Sequence, residues 1–462
     1  MRSTTTLPKS HFRQCSYRCA NNFVDSLSPK NATPIREIPL DICKYFNRAP
    51  AIDIVSNVLS IIKGHLGRQY KANAKLYSVT LETALASLFV AWDRHPETKV
   101  TFHARHSRYK VGSRYNKLGI GKVTLKIINA LETHGLIERW KGSYDRNRGT
   151  GKVSRMRATE KLAVMFEVAA LSREYIERAI EEIVLRDKPT RSSGGKRQKG
   201  NAIEYEDNTT TVGMRQVMQR INAMLGAGAI RLKLTSDEMD GLRKRMGREI
   251  DFTCRKLQRI FNETFERGGR TYGGWWQGIP SEFRPKIEIN GNPTGELDYK
   301  ELHPRLAYAS IGVLPPEGDL YSLPMMAGRD DPVVWRKISK LALNCMINAQ
   351  DKKKAVKAVQ DKCIELGIKT SHVEIRWAMK GLDEKHRPIQ GLFFTGAGAE
   401  FQYTDSEMAI EIMLELQTKG ILALPVHDSF VVERQHVQAL EGAMVLAFES
   451  RCGYPPPIER KF

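Results

Sequence analysis

The chain has 462 residues, 73 Lys+Arg against 52 Asp+Glu and a net charge of +21, with a pI near 9.6. That length excludes a single small fold and fits two to four domains. The positive excess favours a polyanionic partner, because phosphate contacts and counterion release reward spread-out basic charge; nucleic acid is the expectation, against the plainer alternative of a merely basic soluble protein.

Seven cysteines show no paired spacing beyond Cys15 and Cys19, which argues against a disulfide scaffold or a zinc cage and for a reducing, cytoplasmic location. No apolar run is read as approaching the roughly 18 residues of a membrane span, so no membrane is expected as a partner. In chain order, residues 1–45 read as a basic mobile arm with little core of its own. Its first 24 residues carry Arg2, Lys9, Arg13 and Arg18, with no acid before Asp25 and much Ser and Thr. Such composition also fits an organelle transit peptide, the minor alternative to a disordered tail.

Residues 46–185 are periodic and mixed, with a helix over 78–92. Within 119–134 (GIGKVTLKIINALETH), Val123, Ile127, Ile128 and Leu131 recur at helical spacing, and Gly135 is the stop. A strand over 136–141, a basic loop over 143–152, a strand over 153–157 and a helix from Thr159 follow, the order of a winged helix. The segment LETHGLIERWKGSYDRNRGTGKVSRMRATEKL resembles the recognition helix and wing of MarR-type winged-helix proteins. Thr124, Lys126 and Asn129 suit the major groove, while Arg139, Lys141, Arg146 and Arg148 suit phosphates, so DNA is the expected partner. The alternative is a solvated charged hairpin with a structural role. Residues 186–211, polar and holding Pro189 and Gly194-Gly195, read as a linker. Residues 212–462 then form a second domain, of which 212–265 read as helical and basic, through Arg243, Lys244, Arg245, Arg255, Lys256 and Arg259.

Two aspartates there sit at strand ends. Asp298 lies in 295–309 (GELDYKELHPRLAYA), and Asp428 breaks the apolar run of 421–433 (ILALPVHDSFVVE). Alone, each is first a turn residue or helix cap. Residues 332–350 read as a helix with Asp331 as cap and Pro332 in its first turn, and Arg336, Lys340 and Asn344 share one face.

In this order the patches resemble the single-subunit polymerase superfamily, family A DNA polymerases and phage-type RNA polymerases. LDYKELHPR is similar to motif A, Asp-Tyr-Ser-Gln-Ile-Glu-Leu-Arg, retaining Asp298, Tyr299 and Arg305; PVHDSF is similar to motif C and in its Ser-Phe ending is closer to the RNA enzymes. Where motif B belongs, Arg336 and Lys340 fit, and Asn348-Ala349 stands in place of Tyr-Gly. Residues 268–280 (GGRTYGGWWQGIP) resemble the family A segment in which Gly-Arg precedes Gln-Asn-Ile-Pro, and 401–408 (FQYTDSEM) the start of the helix before motif C in the RNA enzymes. Trp275 and Trp276 read as core ahead of base stacking.

The resemblance covers patches between 268 and 436. It implies an α+β fold, a right-hand palm with reduced fingers and thumb preceded by the winged-helix domain, with 212–265 thumb-like and 266–462 palm and fingers. Asp298 and Asp428 would be the catalytic and metal-binding pair, holding two Mg2+ ions, with Mn2+ as the alternative. The resemblance assigns Arg336, Lys340, Tyr299, His303 and Asn348 to a nucleoside triphosphate, and Arg270, Gln277 and His427 to the primer-template. His303 takes the position that is Glu in the DNA enzymes and Gly in the RNA enzymes; an imidazole crowds a ribose hydroxyl and favours dNTPs, while Asn348 and the His-Asp-Ser-Phe wording lean towards RNA. DNA synthesis by a polymerase of a mobile element is the reading taken, with an RNA polymerase or primase as its alternative. A template-independent nucleotidyltransferase and a non-catalytic DNA-binding initiator or regulator are the rivals. No protein partner is legible.

Overall fold

The computed structural model describes residues 37–105, 109–145, 150–188, 190–191, 197–247, 249–324 and 331–462. Two hydrophobic cores organise them, one built from residues between Phe46 and Ile176, the other from residues between Ile183 and Phe448.

The first core forms because two helices, Ala49–Ile62 and Ala74–Arg94, place apolar residues every three to four positions, burying Ile54, Val58 and Ile62 of one against Leu81, Leu85 and Leu88 of the other. Ala74–Arg94 is long and apolar enough to cross a membrane, which corrects the reading that no run reaches that length; 67% of its apolar window is buried in the fold. The run escapes notice because Thr80, Thr83 and Ser87 interrupt it, yet all three are buried. A four-stranded sheet runs Ile38–Pro39, Val100–Phe102, Ser154–Ala158, Ile137–Trp140. Helix Thr124–Thr133 buries Ile127, Ile128 and Leu131 beside it, and strands Ser143–Asp145 and Thr150–Lys152 form a hairpin between the last two strands in chain order. Helix, strand and strand follow in the expected order, and where a basic loop was expected over 143–152 the described residues form that hairpin.

Residues 37–45, expected to belong to a mobile arm, are part of the fold. Ile38–Pro39 pairs parallel with Val100–Phe102, and Lys44–Phe46 pairs antiparallel with Ile176–Arg178, so residues from 37 on are held by sheet bonds. Lys44 is 2% exposed, its Nζ 2.6 Å from Oδ2 of Asp251, the neighbour in sequence of the second core's Ile250. Sequence hides that anchor because the partner lies 207 positions away. Residues 1–36, which carry the reading of a targeting segment, lie outside the described residues.

Of the segment 186–211 read as a linker, Pro189 and Gly194-Gly195 lie outside the described residues, while described residues on either side of them are fastened to the fold. Ile183–Arg186 pairs parallel with Gln258–Asn262, Ala202 bridges Arg186, and the Tyr205 hydroxyl donates to the Ile183 carbonyl at 2.8 Å while its ring meets Phe265 edge-on. Asn208 and Thr211 then box the start of helix Thr209–Ala227. The described residues of this polar segment are held by hydrogen bonds and one aromatic ring, which an apolar-pattern reading does not register. Likewise 212–265 is only partly helical: Ser236–Met246 is a helix, but Gln258–Asn262 and the start of Thr264–Tyr272 are strands. Arg259 occupies a buried strand position at 2% exposure, donating to the Gly269 carbonyl and to Ser406 Oγ, both at 3.0 Å. A buried arginine breaks the alternation that would have announced a strand.

The largest sheet is antiparallel, in the order Ile230–Leu232, Ile287–Ile289, Asn292–Tyr299, Ser429–Glu433, Leu424–Val426, with Ile458–Arg460 also on Asn292–Tyr299. Helices Gly398–Thr418 and Val437–Cys452 pack with it, and helix Pro332–Asn348 begins where expected, the Asp331 carboxylate accepting from the Val334 amide at 3.0 Å.

One buried group makes this core acid-sensitive. His386 is fully buried, with Nε2 2.9 Å from the Leu320 carbonyl and Nδ1 2.9 Å from the Tyr308 hydroxyl. A carbonyl only accepts, so Nε2 carries the proton and Nδ1 accepts from tyrosine, which fixes the neutral tautomer. Burial holds this imidazole down to about 4. A depressed histidine contributes stability above its unfolded value near 6.5 and loses it as pH falls towards 4, by up to about 3 kcal/mol. Thermal melts are therefore expected to drop between pH 6.5 and 4, with a shallower slope for His386→Gln.

Candidate active site

Strand Asn292–Tyr299 carries Asp298, one of the two acids of the candidate site, at its end. Side chains alternate along it, so Glu296 and Asp298 share a face. On the neighbouring strand Ser429 is directly opposite Asp298, and the Tyr299 amide lies 3.4 Å from the Asp428 carbonyl. Val426 pairs with Ser429, so His427 and Asp428 are the two residues of a tight hairpin turn, with His427 at φ +58. The sheet register therefore brings Asp298 and Asp428, 130 positions apart, to adjacent strand ends. Burial and the negative charge of Asp428 push the Asp298 carboxyl up, while Lys461 opposes, its Nζ 3.0 Å from Asp298 Oδ2 and 2.7 Å from Glu459 Oε2. Asp428 is half-buried and its carboxylate has no hydrogen-bond or ion-pair partner among the described residues.

A second layer joins the pair to two further elements. Arg270, on strand Thr264–Tyr272, places Nε 2.5 Å from Asp405 Oδ2 and Nη2 2.9 Å from His303 Nε2. Guanidinium only donates, so His303 Nε2 accepts and the ring is neutral there. Burial, then Arg270, holds His303 down to about 4, with Asp428 opposing. Burial pushes Asp405 up to about 6 even against Arg270, and the field of Asp428 adds to it. Asp405 was not among the residues singled out from sequence. Its signal is an acid at an apolar helical position, with Phe401, Ala409 and Ile412 on the same buried face.

On helix Pro332–Asn348, Arg336 and Lys340 are exposed and lie over one face of the site through Tyr321, their cationic centres 5.5 and 5.8 Å from its ring centroid. Arg336 also pairs with Asp319. Burial, Glu301 and Asp428 hold the Tyr321 hydroxyl above its ordinary range, and the positive field of Lys340 reaches Glu459, opposite Asp298. Asn348 is exposed, its amide donating to the Asn344 carbonyl at 2.7 Å.

Several expected contacts do not form. Tyr299 is a core residue, 4% exposed, with its hydroxyl 2.6 Å from the Met444 carbonyl, so it offers nothing to a nucleotide. Gln277 accepts from the Gly273 and Gly274 amides at 2.9 and 3.2 Å and donates to the Thr271 carbonyl at 2.9 Å. Its amide ties the Gly-Gly turn, whose peptide groups lack sheet partners, and is not free for a primer-template. Trp275 and Trp276 are core, as read. Arg270 is at the site, and His427 is exposed beside it. In the first core, Thr124 is 1% exposed and donates to the Gly121 carbonyl at 2.8 Å, so it starts the helix instead of facing a groove. Arg139 pairs with Glu132 at 3.2 Å and with Asn129, and its charge is already engaged. Lys126, Asn129 and Lys141 are exposed; Arg146 and Arg148 lie outside the described residues.

Among the described residues no group of three or more His, Cys, Asp or Glu is arranged to hold a metal. The donor set at the sheet end is two aspartates, and that fits magnesium, which is commonly held by one or two carboxylates with water and substrate phosphates supplying the rest. In this structure the Lys461 ammonium supplies the positive charge against Asp298.

No protein-family model matches the sequence, and no curated protein matches it. Among solved structures, the chain is loosely similar to the POL domain of Pol1 from M. smegmatis, in complex with DNA primer-template and dNTP, at 11% identity and a TM-score of 0.32. The match covers 90% of this chain and 66% of that one, so the chain spans just under two thirds of that structure.

Proposed function

We propose that the chain is a template-directed nucleotidyltransferase, a polymerase whose right-hand palm is the large antiparallel sheet and whose residues 46–185 form a winged-helix DNA-binding domain. One observation carries this reading: the register of strands Asn292–Tyr299 and Ser429–Glu433 sets two acids side by side at a sheet end, at a cost visible in Asp298. Packing gains nothing from such a pair; a site that binds a polycation or divalent metal does. Two Mg2+ ions, or Mn2+, would supply activation of a primer hydroxyl and charge neutralisation at the triphosphate. Asp298 and Asp428 would hold them, Arg336 and Lys340 would bind phosphate oxygens across Tyr321, and His303, fixed by Arg270, would stand beside the sugar. Lys126, Asn129 and Lys141 would meet DNA. The imidazole keeps dNTPs ahead of NTPs, and a mobile element's replication in a reducing cytoplasm is the setting that suits these parts.

The test is extension of a labelled primer on a template with Mg2+, comparing dNTPs with NTPs and a blunt single strand. Template-dependent dNTP incorporation is expected. Growth of the single strand alone would replace this reading with template-independent transfer.

A non-catalytic DNA-binding role has one observation in its favour, the Lys461 ion pair that already neutralises Asp298. The two readings part on Lys461→Ala. If the ammonium is a displaceable stand-in, its loss is expected to tighten Mn2+ binding by about 3- to 10-fold in calorimetry; a purely structural bridge leaves affinity unchanged and lowers the melting temperature instead.

A further inference from the structure

Beneath the aspartate pair lies an ion pair that the mechanism above does not use. Glu296, two residues before Asp298 on the same face, is 1% exposed, and Arg284 grips it in two places, Nε to Oε2 at 2.7 Å and Nη2 to Oε1 at 2.9 Å. The Ser429 hydroxyl, 4% exposed, sits 2.7 Å from Glu296 Oε1 and 2.9 Å from the Val426 carbonyl. One proton serves one acceptor, and the carboxylate is the stronger. The Glu296 carbonyl also accepts from the Lys461 amide at 2.9 Å, so both neighbouring strands are fastened to this residue.

Burying this carboxylate is electrostatically unfavourable for its neighbour, since the field of Glu296 raises Asp298 further. A buried ion pair is seldom the most stable filling for such a volume; an apolar pair packs as well without desolvating two charges. What an ionised acceptor does provide is a short, directional hold on a hydroxyl. The residue held is the one after Asp428, in a two-residue turn whose first member, His427, has a positive φ that side chains other than glycine rarely adopt. Such a conformation persists where its surroundings fix it. We propose that Glu296, clamped by Arg284, is a positioning residue for nucleotidyl transfer: through the Ser429 hydroxyl it fixes the turn that aims the Asp428 carboxylate at Asp298. This inference rests on the polymerase reading above and adds to it the residues that set the distance between the two acids.

Ser429→Ala and Ser429→Thr in the full-length protein test it, read by primer extension, Mn2+ calorimetry and thermal melting. For Ser429→Ala the expected result is a kcat about 10- to 100-fold lower, with the nucleotide KM and primer-template Kd within about 2-fold, and a several-fold weaker Mn2+ affinity. Ser429→Thr keeps the hydroxyl and is expected to recover most of the loss. The double variant Glu296→Gln/Arg284→Met removes the charge and the clamp and keeps only a neutral acceptor at 296; its kcat is expected to fall between those of the wild type and Ser429→Ala, and a wild-type kcat would overturn the role given to the ion pair. If Ser429→Ala matches the wild type while Asp428→Ala is inactive, the positioning role is overturned and the polymerase reading stands. Equal losses in Ser429→Ala and Ser429→Thr, tracking a lowered melting temperature, would reduce the network to packing and overturn the role as well. A wild-type protein that incorporates no nucleotide removes the polymerase reading and this inference together.

Discussion

Asp428→Ala is expected to lower the rate of nucleotide incorporation by about 10³-fold or more, an effect of 4 kcal/mol or above on the transition state. The fold should not suffer. Asp428 has no hydrogen-bond or ion-pair partner among the described residues, so truncation leaves no buried group orphaned. Its charge is moreover a burden on its surroundings, raising Asp298 and Asp405 together. Removing it lets both acids return towards ordinary values, and the melting temperature at neutral pH is expected to stay level or rise. Loss of activity with retained or increased stability is the signature of a group kept for chemistry. Primer extension and a melting curve on the same preparation decide it, and a parallel drop in both would show that Asp428 is merely a turn residue.

What the sequence made legible divides along a physical line. Strand, turn and strand around Asp428 could be read because an apolar run interrupted by two polar residues leaves little choice of conformation. The helix Pro332–Asn348 could be read because its start is a local event: Asp331 caps the amide three residues on. Such features depend on neighbours within about four positions. The failures depend on distant partners. Lys44 looks like part of a basic arm until Asp251 is brought beside it, and Arg259 looks like a surface charge until Ser406 and Glu407 enclose it. Thr124 and Gln277 were read by what their side chains can offer a ligand, and the backbone around them had already taken those donors and acceptors. Asp405 was passed over for the converse reason, since an acid in a helix reads as solvated until its exposure of only 3% is known. Polar residues reveal where they sit only with their partners, and sequence spacing does not supply those.

Arg336 and Lys340 show how that difference bears on the nucleotide. Spacing placed both on one face, and the structure adds that their charges are unequal in availability. The charge of Arg336 is partly met by Asp319 through Nε, whereas Lys340 lies against the Tyr321 ring and makes no ion pair with a described residue. Lys340→Ala is therefore expected to be the more harmful single change, lowering kcat/KM for the nucleotide by about 10²-fold, and Arg336→Ala by about 10-fold. The double variant should lose about 10³-fold, near the sum of the two in free energy, because the side chains act on separate oxygens. Primer-template affinity at fixed salt is expected to change by less than about 2-fold, since neither residue is assigned to the duplex. Asp319→Asn supplies the opposite sign: with its counterion gone, Arg336 is free before the nucleotide arrives, and the nucleotide KM is expected to fall. A KM that rises in Asp319→Asn would mean that Asp319 orients Arg336 for the phosphate and does not restrain it.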